Sequence, residues 1–106
     1  MPRYNWRMDE KKCTKIRPYL LKSLVSLTRE NPNRYYRPKL FAHEARKFFE
    51  STGNFLYDRD VPDLIQIYID RNLINQTEIQ HRTRIDIGYQ ANLMKIKELE
   101  SIIENI

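Results

Sequence analysis

Residues 60–89 read DVPDLIQIYIDRNLINQTEIQHRTRIDIGY, and this stretch predicts a helix that passes directly into a β-hairpin. Asp60 is a suitable N-cap and Pro62 suits a first helical turn. Apolar residues then recur at helical spacing until Asn72. We expect Asn72 to end the helix, because asparagine tolerates the left-handed backbone conformation found at helix ends. The fold is therefore expected to be organised around a short helix with a defined end.

After Asn72 the periodicity changes from helical to alternating. Residues 74–80 and 84–89 are rich in β-forming side chains, and polar and apolar residues alternate in the second segment and partly in the first. Residues 81–83, which are His-Arg-Thr, are expected to form the tip between the two strands. The predicted hairpin therefore carries a basic tip.

Two further helices and a short strand are predicted before this unit. Apolar side chains form one stripe on a helix over residues 14–30 and another on a helix over residues 38–52. Between them, residues 34–37 alternate enough to pair with the hairpin as a third strand. Residues 1–13 mix basic and aromatic side chains without a period, so we expect an arm. This arm either follows a nucleic-acid backbone or is a disordered terminus that packs Trp6 on the domain.

Residues 90–106 are expected to close the chain as a helix attached to the folded unit, residues 14–89. Its apolar side chains recur at the spacings of a coiled coil. The helix packs either on its own domain or on the same helix of a second subunit, and we favour the two-fold contact because the core is complete without it. The side chains expected at this dimer contact are Tyr89, Asn92, Leu93, Ile96, Leu99, Ile102, Ile103 and Ile106.

The predicted fold is mainly α-helical with a small β-sheet, in the order α-β-α-α-β-β-α. A chain of 106 residues is long enough for one core and not for two. No apolar segment approaches the roughly 20 residues needed to span a bilayer, and the N-terminus has no signal-peptide core, so we expect a cytoplasmic protein without a membrane partner.

The formal net charge of +5 conceals an asymmetry along the chain. Residues 1–57 hold 13 Lys and Arg against 5 Asp and Glu, whereas residues 58–106 hold 6 against 9. The N-terminal half is therefore the better candidate for a surface that binds a polyanion. The alternative is an ordinary basic face in contact with solvent.

Residue types that carry catalysis or bind metals are sparse. Cys13 has no cysteine partner for a disulfide or a zinc site, and His43 has no second ligand one helical turn away. The sequence also has no glycine-rich phosphate loop and no recognisable nucleophile–base pair. We therefore expect neither an enzyme nor a metal or cofactor site.

The order of the elements and one local pattern resemble winged helix-turn-helix DNA-binding proteins. Residues 64–74, LIQIYIDRNLI, are similar to the end of that family's recognition helix and the start of its wing, where a left-handed residue precedes Leu-Ile. The spacing from residues 52–53 to residues 60–61 is most similar to the PadR type of transcriptional regulators, which dimerise through a C-terminal helix. The resemblance extends to small plasmid, viral and archaeal site-binding and partition proteins.

This resemblance implies that the N-terminal part of the third helix enters the DNA major groove while the hairpin contacts the minor groove or phosphates. The positions that would then face the bases are Tyr57, Asp58, Arg59, Asp60, Asp63 and Gln66. Only Arg59 and Gln66 are usual donors to base edges, and the three aspartates repel phosphates, so other cations are needed for the backbone. The complete set of predicted DNA-binding residues is Arg34, Tyr36, Arg37, Lys39, Arg46, Lys47, Tyr57, Arg59, Gln66, Arg82 and Arg84.

The leading hypothesis is a dimeric, DNA-associated protein that binds double-stranded DNA, either to regulate transcription or to mark a plasmid or viral site for partition. A protein partner in a larger nucleoprotein complex is compatible with this role. The alternative is a winged-helix adaptor that binds protein, because an acidic third helix suits a basic partner. The surroundings of residues 58–66 discriminate between them, since basic neighbours favour DNA and further acidic neighbours favour protein.

Overall fold

Four α-helices and one β-hairpin make up the described part of the chain. The structure is a computed structural model that describes residues 10–49 and 56–106. The elements are α1 (Glu10–Glu30), α2 (Pro38–Phe49), α3 (Val61–Asp70), β1 (Ile74–Gln80), β2 (Ile85–Ala91) and α4 (Ile96–Glu104). Single 3-10 turns lie at Asp58–Asp60 and Leu93–Lys95. The described chain is thus mainly helical with a small two-stranded antiparallel sheet.

Helix α1 lies at the centre of the core and contacts α2, α3, α4 and β2. Its apolar stripe, which includes Ile16, Leu20 and Leu24, is fully buried. The helix begins at Glu10 rather than at the predicted Thr14. Residues 10–13 are therefore helical and not part of an arm, because the Glu-Lys-Lys run that precedes Cys13 consists of good helix formers. The rest of the predicted arm lies outside the described residues.

Helix α2 begins at Pro38 as predicted. Its buried side chains include Phe41, Ala42 and Ala45, which pack against α1. The end predicted at residue 52 lies outside the described residues, as does most of the connection to α3. None of the helices within 10–49 and 56–106 is long and apolar enough to cross a membrane.

The third strand predicted at residues 34–37 is reduced to a single paired residue. Tyr36 and Tyr89 exchange two backbone hydrogen bonds of 2.7 Å, and the pairing stops there. The reason is that Pro38 immediately starts α2, and the Leu40 N–H bonds to the Arg37 carbonyl. A chain that turns into a helix at this point cannot follow β2 further.

The prediction of a helix that passes directly into a hairpin is confirmed. Asn72 has a φ of 61°, the left-handed conformation expected at the end of α3. Strands β1 and β2 pair in register from Ile74 opposite Ala91 to Gln80 opposite Ile85. Asp60 stands at the N-cap position of α3 and Pro62 in its first turn, as predicted. A 3-10 turn leads into the helix, however, and the Asp60 side chain makes no capping bond.

The closing helix is shorter than the predicted residues 90–106. Strand β2 continues to Ala91, and the Asn92 N–H bonds to the Leu73 carbonyl before a 3-10 turn that precedes α4. Leu99 is fully buried and Tyr89 nearly so, both in the core of this same chain. These two residues are therefore corrected from dimer contacts to core residues. Ile96, Ile102 and Ile103 also pack against this core while remaining partly exposed.

Candidate nucleic-acid interface

A groove of about 620 Å³ opens between the N-terminal end of α2, the turn before α3 and the outer edge of β2. It is lined by Arg37, Pro38, Lys39, Asp58, Arg59, Pro62, Arg84, Ile85, Asp86, Ile87 and Tyr89. Three segments that are distant in sequence meet here because the Tyr36–Tyr89 bridge holds the start of α2 beside β2. The groove is therefore a product of the tertiary fold.

Four of the predicted DNA contacts border this groove together. Arg37 and Lys39 come from the start of α2, Arg59 from the turn before α3, and Arg84 from the start of the returning strand. The first turn of α2 has no acidic residue, so the positive end of its helix dipole adds to these charges. Four cationic side chains and a helix N-terminus thus face one space.

Asp86 lies at the centre of an ion-pair cluster on this rim. Its Oδ2 atom is 3.6 Å from Arg37 Nε, 3.5 Å from Arg84 Nε and 3.0 Å from His81 Nε2. His81 Nε2 is in turn 2.6 Å from a terminal nitrogen of Arg37. One carboxylate therefore holds two guanidinium groups beside the groove before any ligand arrives.

Sequence reasoning missed the role of Asp86. The signal was present, because alternation along β2 places Arg84 and Asp86 on the same face of the strand. The ion pair between Arg37 and Asp86 was not predictable from that pattern, since it depends on how the segment before α2 crosses the hairpin.

Two of the predicted arginines lie over aromatic rings. The Arg59 guanidinium is 5.0 Å from the centroid of the Tyr57 ring, and Arg34 is 5.2 Å from that of Tyr36. Such stacking orients a guanidinium while leaving its donors open. Tyr36 itself is wrong as a DNA contact, because it is 4% exposed and its hydroxyl donates to the Leu27 carbonyl.

Arg46 and Lys47 do not join the groove. Arg46 donates to the Leu56 carbonyl at 2.9 Å and to Asp58 Oδ1 at 2.5 Å, which ties α2 to the turn before α3. Its side chain is only 24% exposed, so the phosphate contact expected of it is corrected to a structural role. Lys47 pairs with Glu44 one helical turn earlier, at an exposed position away from the groove.

The solvent-facing side of α3 is acidic. Asp63, Gln66 and Asp70 are exposed along it, and Gln66 donates its side-chain amide to Asp70 at 2.9 Å. Ile67 stands exposed among them. Gln66 therefore lies outside the cationic groove, on a face that repels phosphates.

The remaining predicted contact, Arg82, is exposed at the hairpin tip. The base of the groove includes two apolar side chains that sequence reasoning did not assign, Ile85 and Ile87, which are 53% and 38% exposed. Tyr89 closes the inner end, and burial raises the pKa of its phenol, so it is a neutral group beside the cations at neutral pH. The site thus combines a cationic rim with an apolar base.

The side chains that surround residues 58–66 in the fold are more basic than the segment itself. Asp58 is bonded to Arg46, and Arg37, Lys39 and Arg84 line the same groove. By the criterion stated above, these neighbours favour a polyanionic ligand.

Comparison of the sequence with protein-family models and curated proteins, and of the structure with solved structures, finds no match.

Proposed function

We propose that the protein is a non-catalytic, winged helix-turn-helix DNA-binding protein that acts on double-stranded DNA as a dimer. The observation that carries this proposal is the convergence of Arg37, Lys39, Arg59 and Arg84 on one groove. Cations held at fixed spacing beside a helix N-terminus suit a row of phosphates. The two candidate roles for such binding are regulation of transcription and the marking of a site for DNA partition.

We infer the path of the DNA from the positions of these charges. Phosphates are expected at Arg37, Lys39 and Arg84, and Arg82 at the hairpin tip reaches the next phosphates along the duplex. Arg59, at the turn before α3, supplies the donor for a base edge. The acidic face of α3 points away from this path. We therefore expect DNA to contact the N-terminal end of α3 and not the exposed face along its length.

The proposed dimer contact at α4 and the 3-10 turn before it rests on the side chains that the core leaves open. Met94 is 94% exposed and Ile106 is 47% exposed, while Leu93, Ile96 and Ile102 are partly exposed. Asp substitution of Met94 should lower the mass measured by light scattering from that of a dimer to that of a monomer. An unchanged dimer would place the contact elsewhere.

Two lysines on α2 give a matched test of DNA binding. Lys39→Gln removes a cation from the groove, whereas Lys47→Gln removes one of equal charge from a site outside it. In fluorescence anisotropy with a labelled duplex, we expect Lys39→Gln to weaken binding roughly tenfold and Lys47→Gln to change it less than about twofold. Equal effects of the two variants would contradict the proposed path, and no binding of any duplex would contradict the function.

Footprinting on the DNA that flanks the gene distinguishes the two roles. A short palindromic footprint indicates a transcriptional regulator that binds as a symmetric dimer. An extended footprint indicates a protein that spreads along a partition site.

One observation favours the alternative of a protein-binding adaptor. The exposed side of α3 combines Asp63 and Asp70 with the apolar Ile67, which suits a basic partner with an apolar side chain. An Ile67→Asp substitution should leave duplex binding unchanged if DNA follows the groove, and its phenotype in cells would then report the adaptor role separately.

A further inference from the structure

Among the residues that the structure describes, the outer edge of β2 is hydrogen-bonded at only one end. The Ala91 N–H donates to Thr28 Oγ1 at 3.0 Å, and the Tyr89 N–H donates to the Tyr36 carbonyl at 2.7 Å. Because N–H groups along an antiparallel strand point alternately inward and outward, the next two outward groups belong to Ile87 and Ile85. These two positions face the groove.

Nothing in the described chain bonds to these two outward N–H groups. The segment that pairs at Tyr36 turns into α2 at Pro38, so a third strand is missing where it would continue. A strand edge of this kind is a template for an added strand, because its N–H and C=O groups are arranged for pairing. The groove of about 620 Å³ occupies the place of that strand.

The side chains beside this edge differ on its two faces. Ile85 and Ile87 stand on one face, and Arg84 and Asp86 stand on the other, where Arg37 joins them. An added strand would meet apolar side chains at every second position and, at the positions between, two guanidinium groups and one carboxylate. This alternation suits a segment in which apolar and acidic residues alternate.

We propose that this edge binds an extended acidic segment of a partner protein as a third strand beside β2. The four cations that line the groove outnumber its two carboxylates, Asp58 and Asp86, and Asp58 is already paired with Arg46 outside the groove. Residues 1–9 of this chain hold two arginines and one aspartate, so the charge of that segment does not match the groove. The partner is therefore a different protein with acidic and apolar residues in alternation.

Binding of an acidic segment at this edge does not require that the protein binds DNA. Because the cations on the groove are shared, an acidic segment and a duplex that both bind there will exclude each other. The partner then has the properties of a protein antagonist of DNA binding.

The first test uses an octapeptide of alternating Glu and Val, labelled with fluorescein, and a Lys–Val peptide as control. We expect saturable binding of the Glu–Val peptide and no binding of the Lys–Val peptide. We expect the Ile85 and Ile87 amides to exchange rapidly in the free protein. Hydrogen exchange measured by NMR should slow at these two amides on peptide binding, while exchange of the paired Gly88 amide remains unchanged. Equal binding of both peptides, or binding without this slowing, would overturn the proposal.

Two proline variants test the backbone contact. Ile87→Pro removes an outward N–H from the groove edge, and Gln76→Pro removes one from the opposite edge of the hairpin, since proline is tolerated at outward positions of edge strands. Ile87→Pro should weaken peptide binding at least about fivefold, and Gln76→Pro should not change it. A peptide N-methylated at the amides that face β2 should fail to bind the wild-type protein, which tests the same bonds without altering the fold. Slowing of the two amides by a duplex but not by the peptide would overturn the proposal in favour of a phosphate site.

Discussion

Raising the salt concentration should weaken duplex binding along a line whose slope counts the cations in contact with phosphates. Five predicted phosphate contacts remain available after Arg46 and Lys47 are set aside, since Arg59 is assigned to a base edge. They are Arg34, Arg37, Lys39, Arg82 and Arg84. For one protomer, five contacts give a slope of about −4.5 in a plot of log affinity against log salt. Raising KCl from about 50 to about 200 mM would then lower the affinity roughly 500-fold.

Arg84→Gln tests this value directly. Arg84 borders the groove and its side chain is 66% exposed, so the change removes one contact and little packing. The slope should become shallower by about 0.9 per protomer, and the loss over the same salt range should fall to roughly 150-fold. Fluorescence anisotropy on a short labelled duplex at several KCl concentrations measures both slopes.

The control for this measurement is Arg46→Gln, because Arg46 is bonded internally to Leu56 and Asp58. We expect the slope of this variant to equal that of the wild-type protein. A flat salt response in the wild-type protein would refute the DNA-binding proposal. An equal change of slope in the Arg46 and Arg84 variants would refute the assignment of contacts.

Three further predictions concern stability. Arg46→Gln should lower the free energy of unfolding by about 1–3 kcal/mol in urea, because it leaves the Leu56 carbonyl and Asp58 without their donor, whereas Lys47→Gln should change it by less than about 1 kcal/mol. Gly88→Ala should lower the melting temperature, since the added Cβ would lie 2.5 Å from Ile79 Cδ1 and 2.9 Å from Tyr35 Cβ. Adding Ile79→Val, which removes Cδ1, should recover part of the lost melting temperature. Burial raises the pKa of Tyr68 to about 12, whereas the phenol in the unfolded chain ionises near its ordinary value of about 10. The stability that this difference contributes is present below pH 10 and is lost as the pH approaches 12. Tyr68→Phe should abolish this part of the alkaline loss, measured by urea titrations at pH 8 and pH 11.

The helix and hairpin at residues 60–89 were predictable because the signals that define them are local. Asn72 ends α3 through its own backbone preference, and alternation marks both strands. The short strand at residues 34–37 was not predictable in length, because its end depends on where Pro38 starts α2. The closing helix was predicted too long for a similar reason, since the bond from Asn92 to Leu73 extends β2 through a contact distant in sequence.

The candidate site was predictable in its charges and not in its geometry. The excess of cations in residues 1–57 predicted Arg37 and Lys39 as contacts, and the basic tip of the hairpin predicted Arg84. Tyr36 and Arg46 were assigned incorrectly because burial and internal bonding are set by packing, which a short pattern does not encode. The open edge of β2 could not be predicted either, since it exists only because the third strand stops after one residue.

Asp86 explains how a cationic groove can remain ordered without a ligand. Arginines that repel one another would otherwise adopt many rotamers, and ordering them on binding would cost side-chain entropy. Asp86 holds Arg37 and Arg84 within ion-pair distance, so part of that cost is already met in the free protein. The same carboxylate reduces the net charge that attracts a polyanion. Affinity in this groove should therefore depend on the fixed positions of the cations as well as on their number.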